Sequence, residues 1–262
     1  MEESDTRTAA AEPARKPELG LFDLDHTLLS GDSDQLWCDF LAGEGLIDAA
    51  ARKEAFVVAE RYAAGTMTPP EYCGFFAAIL RGRTQAALLP VRERFLEEVI
   101  RPLIPADARS LLQRHRDAGD TLVLTTATNR VVSELTAADL GVDHYVCTEL
   151  EYAAGRLTGR VLGVPNMGTG KLGRLREWLA ANDRGPEALR RATFYTDSIN
   201  DLALLSVVGR PIVVDPDPRL ESAALRKRWR VIRLDRSRAP APGPAHAAPA
   251  SRQPVPALPL RP

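Results

Sequence analysis

The chain has only three cysteines, Cys38, Cys73 and Cys147, and they stand far apart. No CxxC or other metal-ligand spacing joins them, which argues against a zinc module or a disulfide framework. They read as small buried hydrophobes in a reducing compartment. An excess of charge is missing too: 34 basic residues face 35 acidic ones, for a formal net charge of −1. That balance invites neither nucleic acid nor a membrane surface as partner. No apolar run reaches the roughly 18 residues of a membrane span. The opening MEESDTRTAAAEPARKPELG has no apolar centre of the kind a secretory signal needs. The cytoplasm is the simplest compartment.

Apolar residues make up 45% of the 262 and charged residues 26%, enough for one sizeable core with room for an inserted subdomain. The ends read differently. Residues 1–17 carry Ala, Glu and Arg without periodicity. Residues 236–262 are rich in Pro and Ala, with eight of the 20 prolines from Ala239 onward. Neither composition packs a core, so both are expected to be disordered tails.

Between them, short apolar runs alternate with helical text. Strands are expected at Leu19–Leu24, Thr121–Thr126, Ala192–Thr196, Pro211–Val214 and Arg230–Leu234. Helices fit Arg130–Leu140, Leu172–Ala181 and Asn200–Val207. The strand runs are mostly apolar throughout, as in parallel strands covered on both faces. The fold class is therefore α/β, a Rossmann-like doubly wound parallel sheet. From about Leu36 to Leu103 the strand signal stops and four helical stretches follow, from QLWCDFLAGEGLI to LLPVRERFLEEVI. The expected division is a core of 18–35 and 104–235, with a helical cap of 36–103. Such an insert lies above the carboxyl end of the first strand, where open α/β sheets bind ligands. Thr148 to Gly163 reads as a β-hairpin linking sheet elements.

Carboxylates gather at those strand ends. Asp23 and Asp25 follow the first strand, and alternation along a strand puts positions two apart on one face, with Thr27 just beyond. TTATN ends the second strand at Thr126. TDSIND places Asp197 and Asp201 after another, and Lys171 precedes a helix in GTGK. Clustered carboxylates repel unless something offsets them. A hard cation such as Mg²⁺ and the Lys171 ammonium would do so, and would also hold a phosphate. Phosphoryl transfer to an aspartate is one form of covalent catalysis, and it rests largely on positioning and charge neutralisation.

FDLDHTL, Thr126, the lone Lys171 and DSIND together resemble the four motifs of the haloacid dehalogenase superfamily of phosphatases, over roughly residues 18–235. The insert is similar to the cap of the phosphoserine-phosphatase-like branch. FDLDHTLLSGDSD and LTTATNR look closest to bacterial members assigned as histidinol-phosphate phosphatases. The resemblance implies Asp23 as nucleophile and Mg²⁺ ligand. Asp25 would be the general acid and base, its backbone carbonyl on the metal. Thr126 and Lys171 would hold the phosphoryl group, and Asp197 would be a further ligand. Asp201 would support the metal or orient Lys171, and Thr27 and Asn200 would touch phosphate or substrate. The substrate implied is a small phosphorylated metabolite, L-histidinol phosphate first and phosphoserine second. A phosphotransferase or a non-catalytic phospholigand-binding protein would use the same residues.

Some residues read more plainly. Asp32 and Asp34, in SGDSD, suit a turn or helix cap, with the sharper option that one pairs with a substrate amine. His26 is expected to point away from the carboxylates and pack. Asp215-Pro216-Asp217-Pro218 reads as a solvated turn. Arg52, Arg61, Arg81 and Arg83 read as a solvated helical face from which one could reach a substrate carboxylate. GTGKLG is not a nucleotide-binding loop, because Pro165 stands at its first glycine and Leu172 at its Ser/Thr.

Overall fold

The computed structural model describes residues 18–237. The expected tails over 1–17 and from 238 onward lie outside the described residues. The first strand, β1 (Leu19–Phe22), is buried along its whole length. The chain leaves it through a single π-helical turn, Leu24–Leu28. Four helices follow: α1 (Ser33–Gly43), α2 (Ala49–Ala63), α3 (Pro69–Ile79) and α4 (Gln85–Phe95). Each begins on a side-chain cap. Asp32, Asp48, Thr68 and Thr84 accept the backbone N–H of Gln35, Ala51, Glu71 and Ala87 respectively. Such caps contribute about 0.5–2 kcal/mol each.

The chain returns through α5 (Ala106–Asp117) to β2 (Thr121–Asn129), then α6 (Arg130–Leu140) and β3 (His144–Thr148). A hairpin of β4 (Leu150–Ala153) and β5 (Arg156–Val161) precedes α7 (Thr169–Ala181). The remainder is β6 (Thr193–Thr196), the short α8 (Leu202–Leu205), β7 (Arg210–Val214), α9 (Pro218–Lys227) and β8 (Arg230–Ile232). Six strands form one sheet in the order β3-β2-β1-β6-β7-β8, every pairing parallel. Connections diverge to either side of β1, so the crevice for a ligand opens at its carboxyl end.

The sheet is the α/β architecture expected, with one strand more. β3, HYVCT, pairs only with β2 and is buried at just three of its five positions. Its apolar signal is therefore short and interrupted. The hairpin does not link sheet elements but forms its own two-stranded sheet. It also holds the helical insert: Gly82 N–H donates to the Leu157 carbonyl (2.7 Å) and Leu157 N–H to the Arg83 carbonyl (2.9 Å). All three cysteines are free and buried. No helix among the described residues is long and apolar enough to cross a membrane.

The insert shares its core with the sheet. Phe95 of α4 lies 4.9 Å from Trp37 and 5.5 Å from Phe40 of α1, ring centre to ring centre. These rings belong to one continuous cluster with Phe22, Leu122 and Leu124 of the sheet. Phe95→Ala should therefore lower the unfolding free energy by about 3–5 kcal/mol, read from a urea titration. A loss below about 1 kcal/mol would mean the ring does not anchor the insert.

Candidate active site

Asp23 is the first residue past β1. Its N–H continues the sheet by donating to the Tyr195 carbonyl of β6 at 2.9 Å. Its carboxylate is met by Lys171, whose Nζ donates to Asp23 Oδ1 (2.8 Å) and Asp201 Oδ2 (2.7 Å). Lys171 is 3% exposed. Two glycines bring it there. Gly168, with φ +58°, opens α7, and Gly170 lies against the Pro165 carbonyl, where a Cβ would come within 2.3 Å of the oxygen. Buried Asn166 ties the preceding loop to the strand ends, its Nδ2 donating to Thr125 Oγ1 and to the Thr126 and Val146 carbonyls. The P-loop-like GTGK thus builds a tight helix start for one buried lysine.

Burial works against the Lys171 charge, but Asp201 and Asp23 override it and hold the ammonium above its ordinary range. Asp23 is pushed up to about 7, by burial first, with Lys171 pulling down and the Asp201 and Asp25 charges pushing further up. Asp197 is driven well above the carboxylate range by burial and by Asp23. Its side chain accepts from Thr27 Oγ1 at 2.9 Å. Asp201 accepts in addition from Thr196 Oγ1 at 2.7 Å. One ammonium is thus set among more acidic charge than it can offset.

Asp25 reaches the same cavity by another route than strand alternation. The strand has already ended, and the π-helical turn carries Asp25 (φ −65°, ψ 134°) and His26 in left-handed backbone (φ 54°). The Asp25 carboxylate accepts Ser33 N–H (2.7 Å) and Thr128 Oγ1–H (2.7 Å). The same turn corrects His26: it is exposed at the cavity rim rather than packed. Thr128, two residues past Thr126, escaped the sequence reading because the TTATN hydroxyls could not be ranked. Thr126, expected to hold the phosphoryl group, is instead fully buried and does not line the cavity; its Oγ1 accepts Thr128 N–H at 3.1 Å. Thr27, expected at the substrate, is instead fully buried and off the cavity lining, its hydroxyl donating to Asp197, and Asn200 is exposed at the rim.

The cavity over this floor has a volume of about 530 Å³. Asp32 and Asp34 line its insert side together with Tyr62 of α2 and Tyr72 of α3. Asp32 caps α1, and Asp34, 5% exposed, accepts only a long bond from Asn129 Nδ2 at 3.5 Å. The expected capping is made by Asp32, and both side chains face the cavity. The tyrosines were missed because helical text does not say which face looks inward. Arg52, Arg61, Arg81 and Arg83 do not line the cavity. The Asp215–Asp217 segment is no solvated turn: Asp217 caps α9 and accepts Ile199 N–H at 2.6 Å, bracing the loop of Asp197 and Asn200.

Among the described residues no three His, Cys, Asp or Glu side chains already close around one metal position. The donor chemistry nevertheless fits Mg²⁺. All the available ligands are oxygens, the acidic charge is in excess, and this ion keeps several waters beside one or two carboxylates.

Residues 21–206 match the family model for haloacid dehalogenase-like hydrolases, and the chain belongs to that family. A histidinol-phosphatase of Neisseria meningitidis is 35% identical over 218 residues, covering 82% of this chain and 97% of that protein. A phosphoserine phosphatase of Mycobacterium tuberculosis is 35% identical over 154 residues, 59% of this chain and 49% of its own length. A crystal structure of a protein of unknown function from Bordetella pertussis superposes with a TM-score of 0.78 at 39% identity, covering 83% of this chain and 99% of its own.

The Asp32 carboxyl is pushed up to about 6 by burial and by the Asp25 charge. An unfolded carboxyl titrates near 4, so the folded protein binds this proton more tightly. The associated stability is complete below about pH 4 and is lost as pH rises through 6. Asp32→Asn keeps the helix cap but removes this titration. Wild type should therefore lose unfolding free energy relative to Asp32→Asn between pH 4 and 6, and parallel pH curves would contradict the shift.

Proposed function

We propose that this haloacid dehalogenase-like hydrolase, a phosphatase of small phosphate monoesters, cleaves L-histidinol phosphate through an aspartyl-phosphate, with Mg²⁺ as its cofactor. The observation that carries the substrate is the insert-side wall of the cavity. Asp32, Asp34, Tyr62 and Tyr72 line it, and no lysine or arginine of the helical insert does. A cationic amine pairs with buried carboxylates, and an imidazole or imidazolium ring lies well against tyrosine faces. Phosphoserine would bring a second anion against Asp32 and Asp34. The other cationic side chains that line the cavity, Lys171 and Arg219, sit at the floor or the rim. The Neisseria histidinol-phosphatase, matched across nearly its whole length, supports the same reading.

In this reading an Asp23 carboxylate oxygen attacks phosphorus as the ester P–O bond breaks, and the departing alkoxide takes a proton from Asp25. Asp25 then removes a proton from water, whose oxygen displaces Asp23 from phosphorus and releases phosphate. A hydroxyl can donate to a carboxylate or accept from a carboxyl, so Thr128 accommodates both states of Asp25. Lys171 offsets charge on the phosphoryl oxygens, and Thr27 steadies Asp197. Asn200 guards the substrate entrance. Asp23, the Asp25 backbone carbonyl, Asp197 and Asp201 would hold Mg²⁺, which when bound supplies further charge neutralisation at the phosphoryl group.

A phosphate-release assay with Mg²⁺ tests both levels. Asp23→Asn should abolish turnover while the protein stays folded, and substantial remaining activity would sink the mechanism. Histidinol phosphate should exceed phosphoserine in kcat/KM by at least about tenfold. The reverse ranking would overturn the substrate and leave the chemistry standing.

A further inference from the structure

Arg236 lies one residue past the expected end of the core, yet its guanidinium reaches back to the turn that follows Asp23. Nη2 donates to the His26 carbonyl (2.6 Å) and the Thr27 carbonyl (3.1 Å). Nη1 donates to the Leu29 carbonyl (3.1 Å) and to Ser30 Oγ (3.0 Å). Nε donates to Asp215 Oδ2 at 2.9 Å. All three nitrogens of the fork are engaged, and only the rigid, five-donor guanidinium can serve such a set. Asp215 follows β7 with φ 40° and also accepts Leu234 N–H at 3.4 Å. Both side chains of the pair are about three-quarters buried, at 25% and 23% exposure.

The contacts fall where the backbone is least able to hold itself. His26 breaks the turn with its left-handed conformation, and the carbonyls around it need donors from elsewhere. Asp25 sits in this turn, directly before His26, and α1 with its acidic cavity wall follows it. We propose that Arg236, oriented by Asp215, is a positioning residue that fixes the turn carrying Asp25, and so sets the placement of the proton-transferring carboxyl. This rests on the role given to Asp25 above. Asp217, two residues beyond Asp215, braces the Asp197 loop. One short segment, Asp215-Pro216-Asp217, thus steadies both loops that supply acidic residues to the floor.

The test uses the full chain, p-nitrophenyl phosphate with Mg²⁺, and hydrogen exchange. Arg236→Ala should lower kcat about 10- to 100-fold, as expected for misplacement by around an ångström, with KM within about threefold. Millimolar guanidinium should restore part of that kcat, which a general loss of folding would not allow. In the same variant the amides of His26 and Leu29, bonded to the Gly31 and Leu24 carbonyls, should exchange faster while those of β2 do not. Asp215→Asn should show the same pattern more weakly. A kcat within about twofold of wild type, a loss that only tracks the unfolded fraction, or unchanged exchange in the turn would each overturn the proposal. Wild-type protein that hydrolyses no phosphate ester would instead overturn the functional reading, and the exchange data would still judge the brace.

Discussion

The arrangement depends on one buried cation. Lys171 stands between Asp23 and Asp201, nearly sealed from solvent. An ammonium in that position is costly unless paired, and two carboxylates there are costly without it. Each partner therefore justifies the burial of the others. The constraint reaches into the fold. α7 must start at the strand ends, which requires the backbone of Gly168 and the absence of a side chain at Gly170. β1 and β6 must be neighbours so that Asp23 and Asp201 face one nitrogen. The parallel order of the sheet is what makes them so.

The charge count around Lys171 also explains why the site suits phosphate chemistry. A single ammonium leaves the floor acidic, with Asp23 and Asp197 both displaced upward in pKa. An acidic floor by itself repels a phosphate, so it becomes useful only together with a hard cation. The insert adds acid of a different kind. Asp32 and Asp34 line the insert side of the cavity with Tyr62 and Tyr72. In the reading proposed above, acid at the floor serves the phosphoryl group, and acid on the wall serves a cation carried by the leaving group.

Much of this was legible in the sequence, for reasons that differ residue by residue. Continuous apolar runs marked β1, β2 and β6, because a strand covered on both faces has no polar side to interrupt it. β3 was missed because an edge strand only half covered has no such run. Asp23, Asp197 and Asp201 could be read because they follow the strand ends, and Lys171 because GTGK opens a helix and resembles a family motif. Thr128, Tyr62 and Tyr72 could not, since a hydroxyl cluster or a helix face becomes a site only after long-range packing decides which side looks inward.

The two aspartates of the first motif show how a correct placement can follow from an insufficient cause. Alternation along a strand would bring Asp23 and Asp25 to one face, yet the strand ends at Phe22. A turn with left-handed backbone at His26 does the work instead. A strand is held by its neighbours at every residue, whereas such a turn must be held from outside. Ser33 and Thr128 hold the Asp25 carboxylate, and Arg236 holds the backbone on its other side. Ser33 is eight residues from Asp25, but Thr128 is 103 away and Arg236 is 210 from His26, so no local pattern could announce those two. A short motif can name the reacting groups, but the accuracy of their placement depends on residues that the motif does not contain.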